Sequence, residues 1–260
     1  MTCVAYRRHL SASEETVLSD SPPQAGPYPP PEDHADGEWS KVLGREPPIG
    51  DAVSAPELAA QLTGRLCHDL IAPASAIISG FDLLEDPAMA DMRADAMNLI
   101  KASAQKTVAL VTFSRVAFGA SNTAEDFAAE DLRRLAESIY SYVRAQLDWA
   151  VELPVFNKPA ARAMLNLAQI GGDAVPSGGV VRASAHREGA DILMSIEAVS
   201  PRARLRPETQ QGLRGEALTE GLGGYWVQAY YLNALLKAAG GRVDAVTGEG
   251  RVVLRARCPA

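Results

Sequence analysis

Apolar residues recur every three or four positions between residues 62 and 84: Leu62, Leu66, Leu70, Pro73, Ile77, Phe81 and Leu84. That spacing lines one stripe of an α-helix. Ser54-Ala55-Pro56-Glu57 marks its start, because serine followed three residues on by glutamate is a capping box and proline suits a first helical turn. Asp86-Pro87 reads as the cap and first turn of a second helix. Its stripe is Met92, Ala96, Leu99, Ser103, Lys106, Leu110, Phe113 and Ala117, with Gly119 as its stop. Two long helices joined by a tight turn make a helical hairpin. One hairpin leaves its own apolar stripe uncovered, so the pattern predicts pairing with a second copy into a dimeric four-helix bundle, a homodimer.

After residue 120 the periodicity changes. Residues 131–146 and 159–170 read as helices, the second closed by Gly171-Gly172, and 148–153 as a strand. Two more strands are expected near 180–187 and 190–198, then an arginine-, proline- and glycine-rich loop over 199–222. An apolar helix over 224–239 ends at Gly240-Gly241, and residues 242–246 and 251–255 flank Gly248-Glu249-Gly250 as a β-hairpin. The result is an α/β domain of mixed sheet with helices on one face. Residues 1–52 are rich in proline, serine, glycine and acidic groups with little apolar periodicity, which predicts a disordered N-terminal extension. The expected domains are thus 1–52, the hairpin at 53–120 and the α/β domain at 121–260.

Composition narrows the function. The 260 residues carry a net charge of −7, which argues against a nucleic-acid partner because no basic excess exists to release counterions from phosphates. Cys3, Cys67 and Cys258 make no metal-ligand spacing and fit a reducing compartment. The N-terminus lacks the apolar run of a signal peptide, and no apolar stretch long enough to span a bilayer is evident, so a cytoplasmic protein with no membrane partner is expected.

One segment resists a purely structural reading: Arg65-Leu66-Cys67-His68-Asp69-Leu70-Ile71-Ala72-Pro73. Histidine and aspartate are mediocre helix formers, and an interior proline costs about 3 kcal/mol. At about 100° per residue, His68 falls opposite the Leu66–Leu70 stripe and faces solvent, beside Gln61, Gly64, Ala72, Ser75 and Ser79. An exposed neutral imidazole is a good nucleophile near pH 7, and one ring nitrogen attacks while an acceptor holds the other. Asp69 is the candidate acceptor, which makes His68 and Asp69 the candidate catalytic pair. Pro73 frees a backbone carbonyl one turn back. His9, His34 and His186 read as surface residues.

His68-Asp69-Leu70-Ile71-Ala72-Pro73 resembles the phosphoacceptor box of sensor histidine kinases. Gly221-Leu222-Gly223-Gly224, running through an apolar helix to Gly240-Gly241, resembles the last glycine motif of the kinase ATPase domain. Leu165-Asn166-Leu167-Ala168-Gln169-Ile170 sits where kinases carry their asparagine box. Two departures matter. Ile170 stands where an asparagine would hold Mg²⁺, and Ala198-Val199-Ser200-Pro201-Arg202 replaces the adenine-reading Asp-x-Gly-x-Gly. A kinase-like hairpin followed by a degenerate ATPase domain is similar to the ChpT-like histidine phosphotransferases of alphaproteobacteria, from residue 57 or so to residue 260. Shared strings are Arg65-Leu66-Cys67-His68-Asp69, Arg115-Val116-Ala117-Phe118-Gly119-Ala120-Ser121, Pro201-Arg202-Ala203-Arg204-Leu205-Arg206-Pro207 and Glu220-Gly221-Leu222-Gly223-Gly224.

The resemblance implies a phosphorelay. A hybrid kinase of the CckA kind would give phosphate from its receiver aspartate to His68, and response regulators of the CtrA and CpdR kinds would receive it. No cofactor is expected on this chain, and Mg²⁺ is expected on the partner receiver. The docking surface expected is Arg65, Ala72, Ser75, Ile78 and Ser79. Arg202, Arg204, Arg206 and Arg214 are a second candidate, more simply read as a solvated loop. Ala72 stands where a serine is expected, which argues against phosphatase activity and leaves transfer intact. Two other readings stay open: a non-catalytic adaptor that sequesters receiver domains, and a divergent histidine kinase.

Overall fold

The computed structural model describes residues 53–119 and 124–260, so the extension expected over 1–52 lies outside the described residues. The first helix, α1, runs from Ala55 to Glu85 without a break at Pro73. Its cap is the one the sequence announces, with Ser54 Oγ accepting from the Glu57 amide at 3.4 Å. Asp86 caps the next turn through Ala88 N at 2.8 Å, but that turn is a 3-10 segment, Pro87–Met92, rather than the start of the second α-helix. Met89 leaves helical geometry at φ −104° and ψ 23°, and α2 begins only at Arg93 and ends at Ala117. Gly119, at φ +73°, is the expected stop.

The two helices pack along their length, and α1 also lies against the C-terminal region. Ala96, Ser103, Phe113 and Ala117 of the α2 stripe are buried. Other apolar side chains of the hairpin stay open: Ile71, Ile78, Met97 and Val108 are each more than half exposed. Against expectation, α1 is long and apolar enough by composition to cross a bilayer, with mean hydropathy 1.2 over 18 residues. Only 11% of that window is buried, so most of the helix's apolar surface lies open.

The remaining elements, in order, are β1 (Asp126–Ala128), α3 (Ala129–Tyr140), β2 (Ala145–Val151), β3 (Val155–Asn157), α4 (Lys158–Ala174), β4 (Gly179–Glu188), β5 (Asp191–Val199), α5 (Pro207–Arg214), α6 (Gly223–Ala238), β6 (Arg242–Gly248) and β7 (Arg251–Pro259). A five-stranded sheet has the order β2-β4-β5-β7-β6, with β2 and β4 parallel and the other neighbours antiparallel. The short strands β1 and β3 form a separate antiparallel pair. Helix α4 lies on one face of the sheet. Met164, Leu165 and Leu167 are fully buried there, as are Ile196 and Leu254 of the sheet.

Several boundaries differ from the sequence reading. α3 ends at Tyr140 rather than 146, because Tyr142 N and Val143 N turn back to the Ile139 and Tyr140 carbonyls and close the helix. The following strand therefore starts earlier, at Ala145. Gly171 and Gly172 do not stop α4, which continues to Ala174. A side chain on Gly171 would come within 2.5 Å of Ile196 Cγ2 and 3.0 Å of Val181 Cγ1, so the glycine brings the helix onto the sheet. The stretch read as a loop over 199–222 contains α5, closed by Gly215 at φ +73°. Pro207 at its first turn is a start signal that the surrounding arginines and glycines mask.

The hairpin is fastened to this region at its open end, away from the Pro87–Met92 turn. Asn166 Nδ2 donates to the Ala117 carbonyl at 3.0 Å, and Arg162 Nη2 to the Gly119 carbonyl at 3.3 Å, where α2 ends. On the other helix, Leu58 and Leu62 pack with Trp226, Val227 and Tyr230 of α6.

Candidate functional site

His68 stands out from α1 with 84% of its side chain open to solvent. The helix stripe turns inward, so the position opposite it stands at the open rim of the helix. Gly64, one turn earlier, has nothing within 4 Å of where a Cβ would be. Further along the same face, Ala72, Ser75, Ile78 and Ser79 are all exposed, as the spacing predicts.

The ring is held from its own helix. His68 Nδ1 lies 3.4 Å from Asp69 Oδ1, a long contact that leaves Nε2 toward solvent. The second oxygen of the same carboxylate accepts from Arg65 Nε at 2.8 Å. Arg65 sits one turn before Asp69, the spacing at which helical side chains meet. Only 14% of the Arg65 side chain is exposed, so its guanidinium faces the chain's own C-terminal region rather than an open docking surface. Its Nη1 donates to the Gly224 carbonyl at 2.8 Å, Nη2 lies 3.9 Å from Asp173 Oδ2, and the guanidinium carbon is 5.3 Å from the centre of the Tyr225 ring. The carboxylates of Asp69 and Asp173 raise the Arg65 pKa against the opposing effect of burial.

Around this cluster lies a cleft of about 270 Å³ between α1, α2, α3 and α4. His68, Asp69 and Ala72 line one wall, and Lys106, Tyr142, Gln169 and Asp173 line the others. Asp173 is pushed up to about 6, chiefly by desolvation and further by Asp69, while Arg65 pulls it down. Solvent at the open 37% of its side chain tempers that push. Between about pH 4 and pH 6 the folded protein then holds a proton that the unfolded chain has released, so Asp173 makes stability decline as pH rises through this window. Replacing Asp173 with asparagine removes that decline. Melting curves of Asp173→Asn and the parent at pH 4.5 and 7 are expected to show the variant gaining on the parent at the higher pH. Equal shifts at both would refute the assignment.

The glycine motif has become packing surface. A Cβ on Gly223 would lie 3.3 Å from Gln61 Oε1, and one on Gly224 would lie 3.3 Å from Arg65 Cδ. Both glycines let the first turn of α6 approach α1. Between α4, α5 and α6, where Ile170, Arg206, Tyr225 and Gln228 meet, the remaining space is about 10 Å³, room for a water molecule at most. Arg206 stacks over Tyr225 at 4.2 Å, and Gln228 Nε2 donates to Gln169 Oε1 at 2.7 Å and Asn166 Oδ1 at 3.3 Å. Among the described residues, no three His, Cys, Asp or Glu side chains gather to hold a metal ion. Of the four arginines in the second docking candidate, Arg206 is taken up by Tyr225 and Arg214 by Glu216, at 2.6 Å.

The structure leaves His68 and the face of Ala72, Ser75, Ile78 and Ser79 open and sets Asp69 beside the ring, as the spacing predicts. Sequence reasoning missed Asp173, the Gly224 carbonyl and Tyr225. Asp173 gave a usable signal, as a lone carboxylate in a helix otherwise buried along most of its length.

Comparison with known proteins identifies the family. Residues 129–251 match the family described as the histidine phosphotransferase C-terminal domain. A solved structure described as a bacterial phosphotransferase superposes with a TM-score of 0.71 at 29% identity, covering 80% of this chain and 99% of that one. The protein phosphotransferase ChpT of Brucella abortus (strain 2308) is 31% identical over 193 residues, 74% of this chain and 91% of that protein. With that identity over nearly the full length of the relative, the chain belongs to the ChpT family of histidine phosphotransferases.

Proposed function

We propose that this chain relays phosphate within a phosphorelay, taking it onto His68 from a receiver aspartate of a hybrid kinase and passing it to receiver aspartates of response regulators. The observation that carries this reading is an imidazole open to solvent with its Nδ1 toward a carboxylate. A proton on Nδ1, held by Asp69, leaves the lone pair of Nε2 free to attack. In the transfer step the N–P bond forms at Nε2 as the acyl O–P bond breaks, and the aspartate leaves as carboxylate. The Nδ1 proton stays in place and Asp69 offsets the positive charge gained by the ring. In-line displacement also needs the equatorial charge of the phosphoryl group neutralised. A Mg²⁺ held by the acidic cluster of the receiver, rather than by this chain, would neutralise that charge.

Other features support the same reading. The narrow space between α4, α5 and α6 offers an adenine nucleotide no seat, which favours an external phosphate source over a kinase. Ala72 has no hydroxyl to orient a hydrolytic water, which favours transfer over hydrolysis. The exposed face of Ala72, Ser75, Ile78 and Ser79 suits a docked receiver helix, with small residues allowing close approach.

The open apolar residues Ile71, Ile78, Met97 and Val108 favour a second hairpin against the first, giving the dimeric four-helix bundle. Sedimentation at micromolar concentration is expected to give a dimer, and a stable monomer would remove this part. The relay itself is tested by incubating the purified protein with a phosphorylated receiver domain. An acid-labile, alkali-stable label is expected on the protein, and no label transfer would end the proposal.

A further inference from the structure

We infer that Arg65 and Asp173 are positioning residues for His68: the C-terminal region grips Arg65, Arg65 fixes the Asp69 carboxylate, and that carboxylate sets the ring. This deepens the proposed function and rests on His68 as the phosphoryl acceptor.

The geometry divides the work among single atoms. One Asp69 oxygen serves Arg65 at 2.8 Å and the other faces His68 Nδ1 at 3.4 Å. A carboxylate on an exposed helix face ordinarily samples several rotamers. Here its plane is held by an arginine with two hydrogen bonds and a longer ion pair, in three directions. Nε goes to Asp69 on α1, Nη1 to the Gly224 carbonyl in the first turn of α6, and Nη2 toward Asp173 on α4. Tyr225 lies against the guanidinium as a fourth restraint. The guanidinium fork is planar and rigid, so fixing two of its corners fixes the third. With the Asp69 carboxylate fixed as the acceptor for Nδ1–H, the lone pair is left on Nε2.

An arginine kept only to fasten α1 to α6 would not need its remaining nitrogen aimed at the carboxylate that faces the reactive ring. A docking arginine would not be buried to 14% exposure. The chain from Asp173 to His68 also gives the C-terminal region a part in the chemistry without any nucleotide.

The test uses the whole protein and potassium phosphoramidate, a small donor that phosphorylates imidazole with release of ammonia and needs no docking surface. Label at His68 is followed by peptide mass spectrometry, with exposed His186 as internal reference. In the parent protein His68 is expected to react faster than His186. In Arg65→Ala and in Asp173→Asn the ratio is expected to fall by tenfold or more, toward the roughly 10²-fold cost of a displaced reacting group. The ¹⁵N shifts of the His68 ring are expected to move away from the Nδ1–H tautomer in both variants. Asp173→Asn is expected to gain on the parent in melting temperature between pH 4.5 and pH 7. A melting curve at pH 7 therefore separates slower labelling from loss of fold, and this variant decides the matter if Arg65→Ala does not fold.

An unchanged ratio with unchanged ring shifts would overturn the clamp. So would a parent protein whose His68 is no more reactive than His186. Either result leaves the relay to be judged by the receiver experiment. Failure of transfer from a receiver, with the phosphoramidate ratio behaving as expected, would reject the relay and keep the clamp.

Discussion

Replacing His68 with alanine is expected to abolish transfer from a phosphorylated receiver, with a loss of more than about 10³-fold, because the nucleophile itself is removed. The fold should barely notice. The side chain is 84% exposed and its one polar contact is the long one to Asp69, so stability should move by no more than about 0.5 kcal/mol. Apolar packing within the hairpin does not involve this ring, so the oligomeric state should also survive. That combination separates relay from adaptor. A protein that only sequesters receivers would keep binding and keep its cellular effect after the substitution. Retained label on His68→Ala would move the phosphoryl site elsewhere and sink the assignment of this residue.

The second large effect is structural and lies far from the imidazole in sequence. Gly212 is buried where α5 crosses α6. A Cβ there would come within 2.5 Å of the Trp226 carbonyl and 2.8 Å of Tyr230 N. Those atoms are helix backbone and cannot swing aside, so Gly212→Val must push the helices apart. Overpacking of this kind costs about 3 kcal/mol at the upper end of its usual range. For a protein of this size that lowers the melting temperature by on the order of 10 °C. Transfer should fall as well, because the first turn of α6 carries the Gly224 carbonyl and Tyr225 that hold Arg65. A variant melting within about 2 °C of the parent would show that the contact is looser than described.

Gly212 also shows where sequence reasoning reaches its limit. The hairpin was legible because its signals are local. The Ser54 cap, the three-and-four spacing and the Gly119 stop all act within a few residues, and each is where the sequence places it. His68 was legible for the same reason, since a helix stripe fixes which positions face away from it. Glycines were misread wherever their role is tertiary. Gly171 and Gly172 read as a stop, but the helix runs through both, and Gly171 is needed for the approach of α4 to the sheet. Gly212 lies in a stretch read as a loop for its arginines, prolines and glycines, although Pro207 starts a helix there.

The site divides along the same line. Asp69 could be paired with His68 because it is adjacent, and Arg65 is one turn away on the same helix. Its remaining partners, Gly224 and Asp173, are brought in by the fold from more than 100 residues further along. No local pattern announces a backbone carbonyl. Arg65 was therefore placed on the docking surface with the exposed residues of α1, whereas its side chain is turned to the chain's own interior.

Both anchors of the hairpin lie at its open end, where α1 begins and α2 finishes. Arg65 ties α1 to the first turn of α6, and Asn166 and Arg162 tie the end of α2 to α4. The turn at Pro87–Met92 packs chiefly against the two helices that it joins. The hairpin is thus a post set in a base rather than a beam held at each tip, and His68, one turn from Arg65, stands near the set end. A partner that docks along the exposed face of α1 would meet the ring close to that base.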